Sequence, residues 1–335
     1  MENIKELTFK KEEMFFSPYA CFSKNTLGRD RVEAPDLLRT EFQRDRDRIM
    51  HSKSFRRLKN KTQVFLAPKG DHFRTRMTHT LDVAQIARSV ARALRLNEEL
   101  AEAIALGHDL GHPPFGHTGE RVLSHLTGGK FHHNEQSVRI AEFLENDGKG
   151  LNLTKEVRDG ILNHRSECKP LTLEGRVVLF ADKIAYVNHD IDDALRAGVL
   201  KEENLTKECL EVLGKSATAR INSMIMSVYR YSDGKNFVEM EPQVFNALKA
   251  TRRFLFENVY SAKETDGESV KAERLIEMLY KYFFANPKEM PQFFWIVAEK
   301  DGKEQAVCDY IASMSDSYAT NLFCGLFVPE RFNAL

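Results

Sequence analysis

The stretch His108-Asp109-Leu110-Gly111-His112-Pro113-Pro114-Phe115-Gly116-His117-Thr118-Gly119-Glu120 places three histidines and two carboxylates within thirteen residues. Upstream, Leu81, Ala84, Ala87, Val90, Ala91 and Leu94 recur at helical spacing, which predicts an amphipathic helix over 80–96. Asn97 offers an N-cap, and Glu98 and Glu99 a favourable first turn, for a second helix ending near 108. Gly111, Pro113 and Pro114 cannot continue that helix. His108 and Asp109 therefore stand at a helix C-terminus, where free carbonyls and the macrodipole favour a cation. Imidazole nitrogen with carboxylate oxygen suits a borderline divalent ion such as Mn, Fe, Co, Ni or Zn. The Gly-Pro-Pro loop can bring His112 and His117 back over it.

Further ligands lie outside the stretch. His79 begins the preceding helix, and an antiparallel helix pair with a short connection brings it beside His108. Asp182 sits in the nearly apolar run Val177–Tyr186, where a buried carboxylate is costly unless it meets a cation or strong donors. Asp182, Tyr186, His189, Asp190 and Asp193 share one stripe of the helix expected over 173–195, and that stripe must face something polar.

Helical patterning recurs near 119–126, 134–146, 154–165, 203–213, 216–230, 243–260, 268–284 and 303–323. Strand signals are weak: residues 63–66 before Pro68, and 235–240. Asp266-Gly267 marks a loop. The expected fold is all-α, with an N-terminal arm and basic helix (1–49), a helical core (50–230) and a C-terminal helical extension (231–335).

The 335 residues suffice for a sizeable core, and 42% hydrophobic with 29% charged residues is ordinary for a globular protein. Five scattered cysteines form no CxxC pair, so neither a disulfide framework nor a thiolate zinc site is expected. No apolar run is long enough for a membrane span, and the N-terminus lacks a signal-peptide pattern, so a cytoplasmic protein is expected. Net charge is zero, yet residues 24–76 hold 15 Lys/Arg against 7 Asp/Glu, a local +8. That excess is either a solvated basic helix over 39–57 or a surface for polyphosphate or nucleic acid.

The order His79…His108-Asp109…Asp182 resembles the signature of the HD superfamily. The surrounding text is more specific. Residues 56–65, Arg76-Met77-Thr78-His79-Thr80, the stretch 108–120, His133-Asn134-Glu135-Gln136-Ser137 and residues 309–316 resemble the bacterial dGTPase-like deoxynucleoside triphosphate triphosphohydrolases, over about residues 25 to 325. The resemblance implies an HD-domain helical core and one divalent ion, Mn or Mg among the choices, held by His79, His108, Asp109 and Asp182. It implies His117 as the catalytic histidine with Glu120 orienting it. Arg76, His112, His133, Lys183 and Tyr186 would surround the triphosphate, and Gln63 and Asp190 would contact the deoxyribose. The implied reaction releases a deoxynucleoside and tripolyphosphate. A homo-oligomer, tetramer or hexamer, is expected, with a nucleotide effector or single-stranded nucleic acid as further partners.

His133 and His164 fall in the interval where some HD proteins hold second-metal ligands. His51, His72, His125 and His189 read as ordinary core or surface histidines, and only one of His132 and His133 is expected to face the pocket. Two other functions stay open: a different HD phosphohydrolase, such as a nucleotidase or cyclic-nucleotide phosphodiesterase, and a nucleic-acid-binding regulator with a vestigial site. The base preferred, the native metal and the effector site are not legible.

Overall fold

Residues 4–63, 73–165, 167–260 and 267–329 are described by the structure, a computed structural model. In chain order its helices are α1 (Ile4–Phe15), α2 (Glu41–His51), α3 (Lys53–Arg57), α4 (Arg76–Ala93), α5 (Glu98–Gly107), α6 (Gly116–Leu126), α7 (His133–Arg139), α8 (Lys155–Leu162), α9 (Leu173–Arg196), α10 (Ala217–Ser232), α11 (Pro242–Leu255), α12 (Gly267–Ala285), α13 (Gln292–Asp301), α14 (Lys303–Ala312) and α15 (Asp316–Phe327). Single π-helical turns follow α7 (Ile140–Leu144) and α11 (Phe256–Tyr260). Among the described residues there is no β-strand, only an isolated antiparallel bridge between Thr62 and Thr75. Residues 235–240, a strand expectation, run as bend and coil. The other expected extended piece lies mostly outside the described residues. Among the described residues no helix is long and apolar enough to cross a membrane.

Local chemistry explains the helices that build the site. α4 starts four residues before the apolar periodicity because Thr75 caps it, accepting from the Thr78 amide while the Thr78 hydroxyl accepts from the Thr75 amide. Asn97 caps α5 as its sequence suggests, accepting from the Glu99 and Leu100 amides. The connection Leu94–Asn97 folds α5 back along α4, and the long α9 packs across both. Alanines fill these contacts: Ala84, Ala87 and Ala91 from α4, Ala101, Ala103 and Ala105 from α5, Ala181 and Ala185 from α9, all buried. Small side chains let the three backbones approach closely, which is what crowding ligands into one place requires.

Buried apolar residues form two clusters. The larger runs from Phe42 to Val259, so α11 shares the core of α4, α5 and α9, and the boundary expected at 230 falls inside it. The smaller joins Val122, Leu123 and Phe131 to residues of α12–α15. The single helix expected over 303–323 is two, because Ser315 caps a new one by accepting from the Tyr318 amide. Five arginines of the basic segment 24–76 are held in ion pairs, mostly with acids of that same segment. Arg29 meets Glu41 and Asp45, Arg39 meets Asp36 and Asp47, Arg44 meets Glu33 and Glu41, Arg46 meets Asp47 and Glu99, and Arg48 meets Glu33.

One contact sets how near α8 can lie to α5. A Cβ on Gly160 would stand 2.4, 2.6 and 2.8 Å from Cδ1, Cγ1 and Cγ2 of Ile104. The Cγ atoms cannot swing clear without moving α5. Gly160→Ala gains about 1 kcal/mol of helix propensity but overpacks the core at a cost of about 1–3 kcal/mol. The expected result is a net loss of stability and a lower midpoint in thermal or urea unfolding; an unchanged or raised midpoint would show that the interface yields freely.

Candidate active site

Three helices deliver the ligand cluster. His79 lies in the first turn of α4, His108 and Asp109 follow α5, and Asp182 sits mid-way along α9. Nε2 of His79 is 3.1 Å from Oδ1 of Asp182, and Nε2 of His108 is 3.5 Å from Oδ1 of Asp109 and 3.9 Å from Oδ1 of Asp182. Ligating atoms of His79, His108 and Asp109 lie within 4.8 Å of one another. His108 shows that the set fits a metal. Its Nδ1 donates to the Ala105 carbonyl at 2.6 Å, so in a neutral ring Nε2 carries the lone pair, and that atom is buried with no hydrogen-bond partner. A cation would satisfy it.

Charge around the cluster keeps both acids ionised. Arg76, the first residue of α4, donates through Nη1 to Oδ2 of Asp109 at 2.7 Å. Burial alone would raise the Asp109 carboxyl, but the Arg76 guanidinium, with His108 and His112, holds it well below the usual carboxylate range. Burial would likewise raise Asp182, and the adjacent His79 imidazole with the nearby His108 outweighs it.

Behind His79 stands a pair the sequence reading took as unremarkable. His189 Nδ1 is 3.4 Å from His79 Nδ1, and His189 Nε2 is 2.9 Å from Oδ2 of Asp82. With His189 donating to Asp82, its Nδ1 is left to accept from His79 Nδ1–H, and the His79 Nε2 lone pair is turned toward Asp182. Burial pushes the His189 imidazole down to about 4, consistent with a neutral ring. This orients a ligand as carboxylate–histidine pairs do behind metals. Two turns of α9 separate His189 from Asp182, and one turn of α4 separates Asp82 from His79, so both pairs fall on matching faces.

The loop after Asp109 turns on two left-handed residues, Phe115 (φ 64°) and Gly116 (φ 57°). For Phe115 this costs about 1 kcal/mol, and its amide donates to Oδ1 of Asp316 at 2.9 Å. A Cβ on Gly116 would stand 3.0 Å from Nη2 of Arg76 and 3.2 Å from the Thr62 carbonyl, so glycine answers both conformation and space. The loop brings His112 under His133, the rings stacked at 3.9 Å and 15°. Nε2 of His112 is 3.3 Å from Oδ1 of Asp109. His117 opens α6 with a largely exposed side chain, its ring 5.6 Å from that of His112.

Glu120 stands between two histidines. It is 3.8 Å from His117 Nδ1, whereas it accepts from both the His133 amide (2.9 Å) and His133 Nδ1 (2.7 Å). Its tighter partner is therefore His133 rather than His117. The Nε2 atoms of His133 and His164 are 3.1 Å apart, and His164 Nδ1 donates to the Ile161 carbonyl at 2.7 Å. Burial pushes His164 down to about 3, so it is neutral and accepts at Nε2. His133 thus bridges Glu120 and His164 through its two ring nitrogens.

A cavity of about 580 Å³ joins these groups. Every site residue named from the sequence borders it except His108, which is buried one layer in, against His79 and His164. His132 and His133 both reach it, where one was expected. Lys183 lies on its wall, pushed down to about 8 by burial and by Arg176 and Arg252. The sequence reading did not single out Arg165 or Arg252, which also border it; Arg252 sits over the Tyr186 ring at 5.7 Å. Acids and imidazoles gather around the ligand cluster and cations at the walls. That arrangement could hold a metal ion beside a polyanion.

Comparison with known proteins agrees. The HD domain model matches residues 76–187, and the phosphohydrolase-associated domain model matches 238–324. Two relatives named deoxyguanosinetriphosphate triphosphohydrolase-like protein are similar over nearly all of both chains. That of Caldanaerobacter subterraneus is 55% identical over 327 residues, covering 98% of this chain and 96% of its own. That of Clostridium perfringens is 49% identical over 338 residues, covering 98% of each. Among solved structures, a phosphohydrolase from Bacteroides thetaiotaomicron shares the fold at a TM-score of 0.53 with 19% identity, covering 84% of this chain and 69% of that one.

The cluster sets two expectations for metal content. Asp109→Ala removes a ligand and should abolish binding of Mn²⁺, measured by elemental analysis after dialysis. His189→Gln leaves all four ligands but frees His79 to rotate, and should weaken Mn²⁺ affinity roughly 10- to 100-fold, as lost outer partners of metal ligands do. Wild-type affinity in the second variant would remove the orienting role of the Asp82–His189 pair.

Proposed function

Because the chain belongs to the deoxyguanosinetriphosphate triphosphohydrolase-like family, with an HD domain at its centre, we propose that it hydrolyses deoxynucleoside triphosphates to deoxynucleoside and tripolyphosphate. The observation that carries this reading is a cavity bordered by His79, Asp109 and Asp182, with His108 one layer behind them, and by several cationic side chains. A divalent ion bound by His79, His108, Asp109 and Asp182 would polarise the phosphate and lower the pKa of a water bound to it.

The rest falls to side chains. Lys183, Arg165 and Arg252 are placed to meet a triphosphate, and His112, packed on His133, continues that wall. Arg76 serves chiefly to hold Asp109, since its closest bond goes there. Gln63, Tyr186 and Asp190 border the same cavity. Tyr186, partly buried and with its hydroxyl pushed up by burial, stays a neutral wall, and a sugar packed against these three residues would leave little room for a 2′-hydroxyl. His117, exposed to the cavity, is proposed to give the proton that the departing 5′ oxygen needs. Glu120, 3.8 Å from His117 Nδ1 and bonded to His133, stands between the two imidazoles.

Two measurements test this. Incubating the protein with each dNTP and Mn²⁺ or Mg²⁺, then identifying the phosphorus product, should give tripolyphosphate, and dGTP should turn over far faster than GTP. Orthophosphate or pyrophosphate as the first product would point instead to another HD phosphohydrolase. Second, His117→Ala should keep its metal and bind dNTP, with kcat reduced by roughly two to four orders of magnitude. Near-normal kcat would transfer the proton-donor role to His133, to be read from His133→Ala.

A further inference from the structure

We infer that Asp316 and Lys61, neither of which borders the cavity, are positioning residues for the loop that carries His112 and His117. The inference rests on the hydrolytic reading of the cavity only for its kinetic part.

The geometry is specific. Oδ1 of Asp316 accepts from the Phe115 amide at 2.9 Å. Oδ2 accepts from the Thr62 amide at 2.8 Å and the Thr62 hydroxyl at 2.5 Å. One carboxylate thus ties the residue before Gly116-His117 to the residue before Gln63. Phe115 occupies a left-handed conformation that a non-glycine residue leaves when it can. A charged acceptor on its amide opposes that relaxation. Asp316 lies in the first turn of α15, yet Ser315 caps that helix by itself. The carboxylate is spent on the loop, not on its own helix.

Lys61 acts at the other end of the loop. It is fully buried, and its ammonium donates to the His112 carbonyl at 2.5 Å and to the Ala312 carbonyl, the end of α14, at 2.8 Å. His112 and Phe115 are therefore both anchored to the α14–α15 corner, a region more than 190 residues away in sequence. A built-in control exists. Asp309, buried in α14, also joins the two parts of the chain, accepting from Gln136 and Arg139 of α7, but touches nothing in the loop.

The test compares Asp316→Asn, Asp309→Asn, His117→Ala and the double variant Asp316→Asn/His117→Ala. Read-outs are kcat, KM for dNTP, bound Mn²⁺, and amide hydrogen exchange over residues 111–118. Asp316→Asn should lower kcat roughly 10- to 100-fold, with KM and metal content within about twofold of wild type, and should speed exchange at Phe115–His117. Asp309→Asn should leave kcat within about threefold even where it lowers the unfolding midpoint. The double variant should be no more than about threefold slower than His117→Ala, because Asp316 acts through that residue. Asp316→Glu keeps the charge but displaces it by a methylene; it should show the same split and substitutes if the asparagine variant does not fold. Unchanged kcat in Asp316→Asn, an equal loss in Asp309→Asn, or fully additive losses in the double variant overturns the positioning role. If the wild type hydrolyses no dNTP, the reading of the cavity falls, and exchange alone decides this inference: unchanged exchange at 115–117 ends it.

Discussion

Acceptors cannot satisfy acceptors. The centre of this protein gathers two imidazoles and two carboxylates in a largely buried place, and Arg76 is a cation hydrogen-bonded to one of them. In a low-dielectric interior an uncompensated negative cluster is severely unfavourable. The remaining demand is for a positive ion. Much of the fold follows from meeting that demand. The alanine-lined faces of α4, α5 and α9 bring the ligands near each other, the caps at Thr75 and Asn97 fix where α4 and α5 begin, and the Asp82–His189 pair turns one imidazole to face inward.

The same electrostatics divides the cavity. Negative and neutral groups concentrate at the ligand end. Lys183, Arg165 and Arg252 occupy the walls, where a polyphosphate would complete the charge balance that a divalent ion only begins. The histidines between the two ends are not equivalent. His164 is neutral because burial outweighs its neighbours. His133 is held between His164 and Glu120, and His117 is the exposed one. Three imidazoles within a few ångströms thus have three different surroundings, each traceable to a named partner.

That His79, His108, Asp109 and Asp182 come together was legible in the sequence because the cues are local: a helix end, a loop that cannot remain helical, and a carboxylate stranded in an apolar run. The cap at Asn97 and the course of α9 were legible for the same reason. What escaped depends on partners distant in sequence. Nothing near His189 announces that Asp82 lies opposite, and nothing near Asp316 announces Thr62 or Phe115. The break before α15 was missed because apolar residues continue through it, while the Ser315 cap that forces it is a single hydroxyl. The arginines of 39–48 left two readings open, a solvated helix or a binding surface, because counting charges along a chain cannot see which acid meets which arginine: Arg39 meets Asp47, Arg44 meets Glu33 and Arg46 meets Glu99. α1 and α13 were not expected at all; in both, large apolar residues remain partly exposed, Phe15 and Ile296 among them, so no clean amphipathic pattern marks them.

The Lys61 ammonium joins a carbonyl at His112 to one at Ala312. In a chain made from its N-terminus, those two acceptors emerge from the ribosome about 200 residues apart, many seconds at ordinary synthesis rates. Until the later one arrives, a buried lysine and the loop after Asp109 lack half of their anchorage, however well α4, α5 and α9 have already packed. Completion of that loop is thereby deferred until Ala312 has been made, and a shorter nascent product can have a folded core without the finished loop.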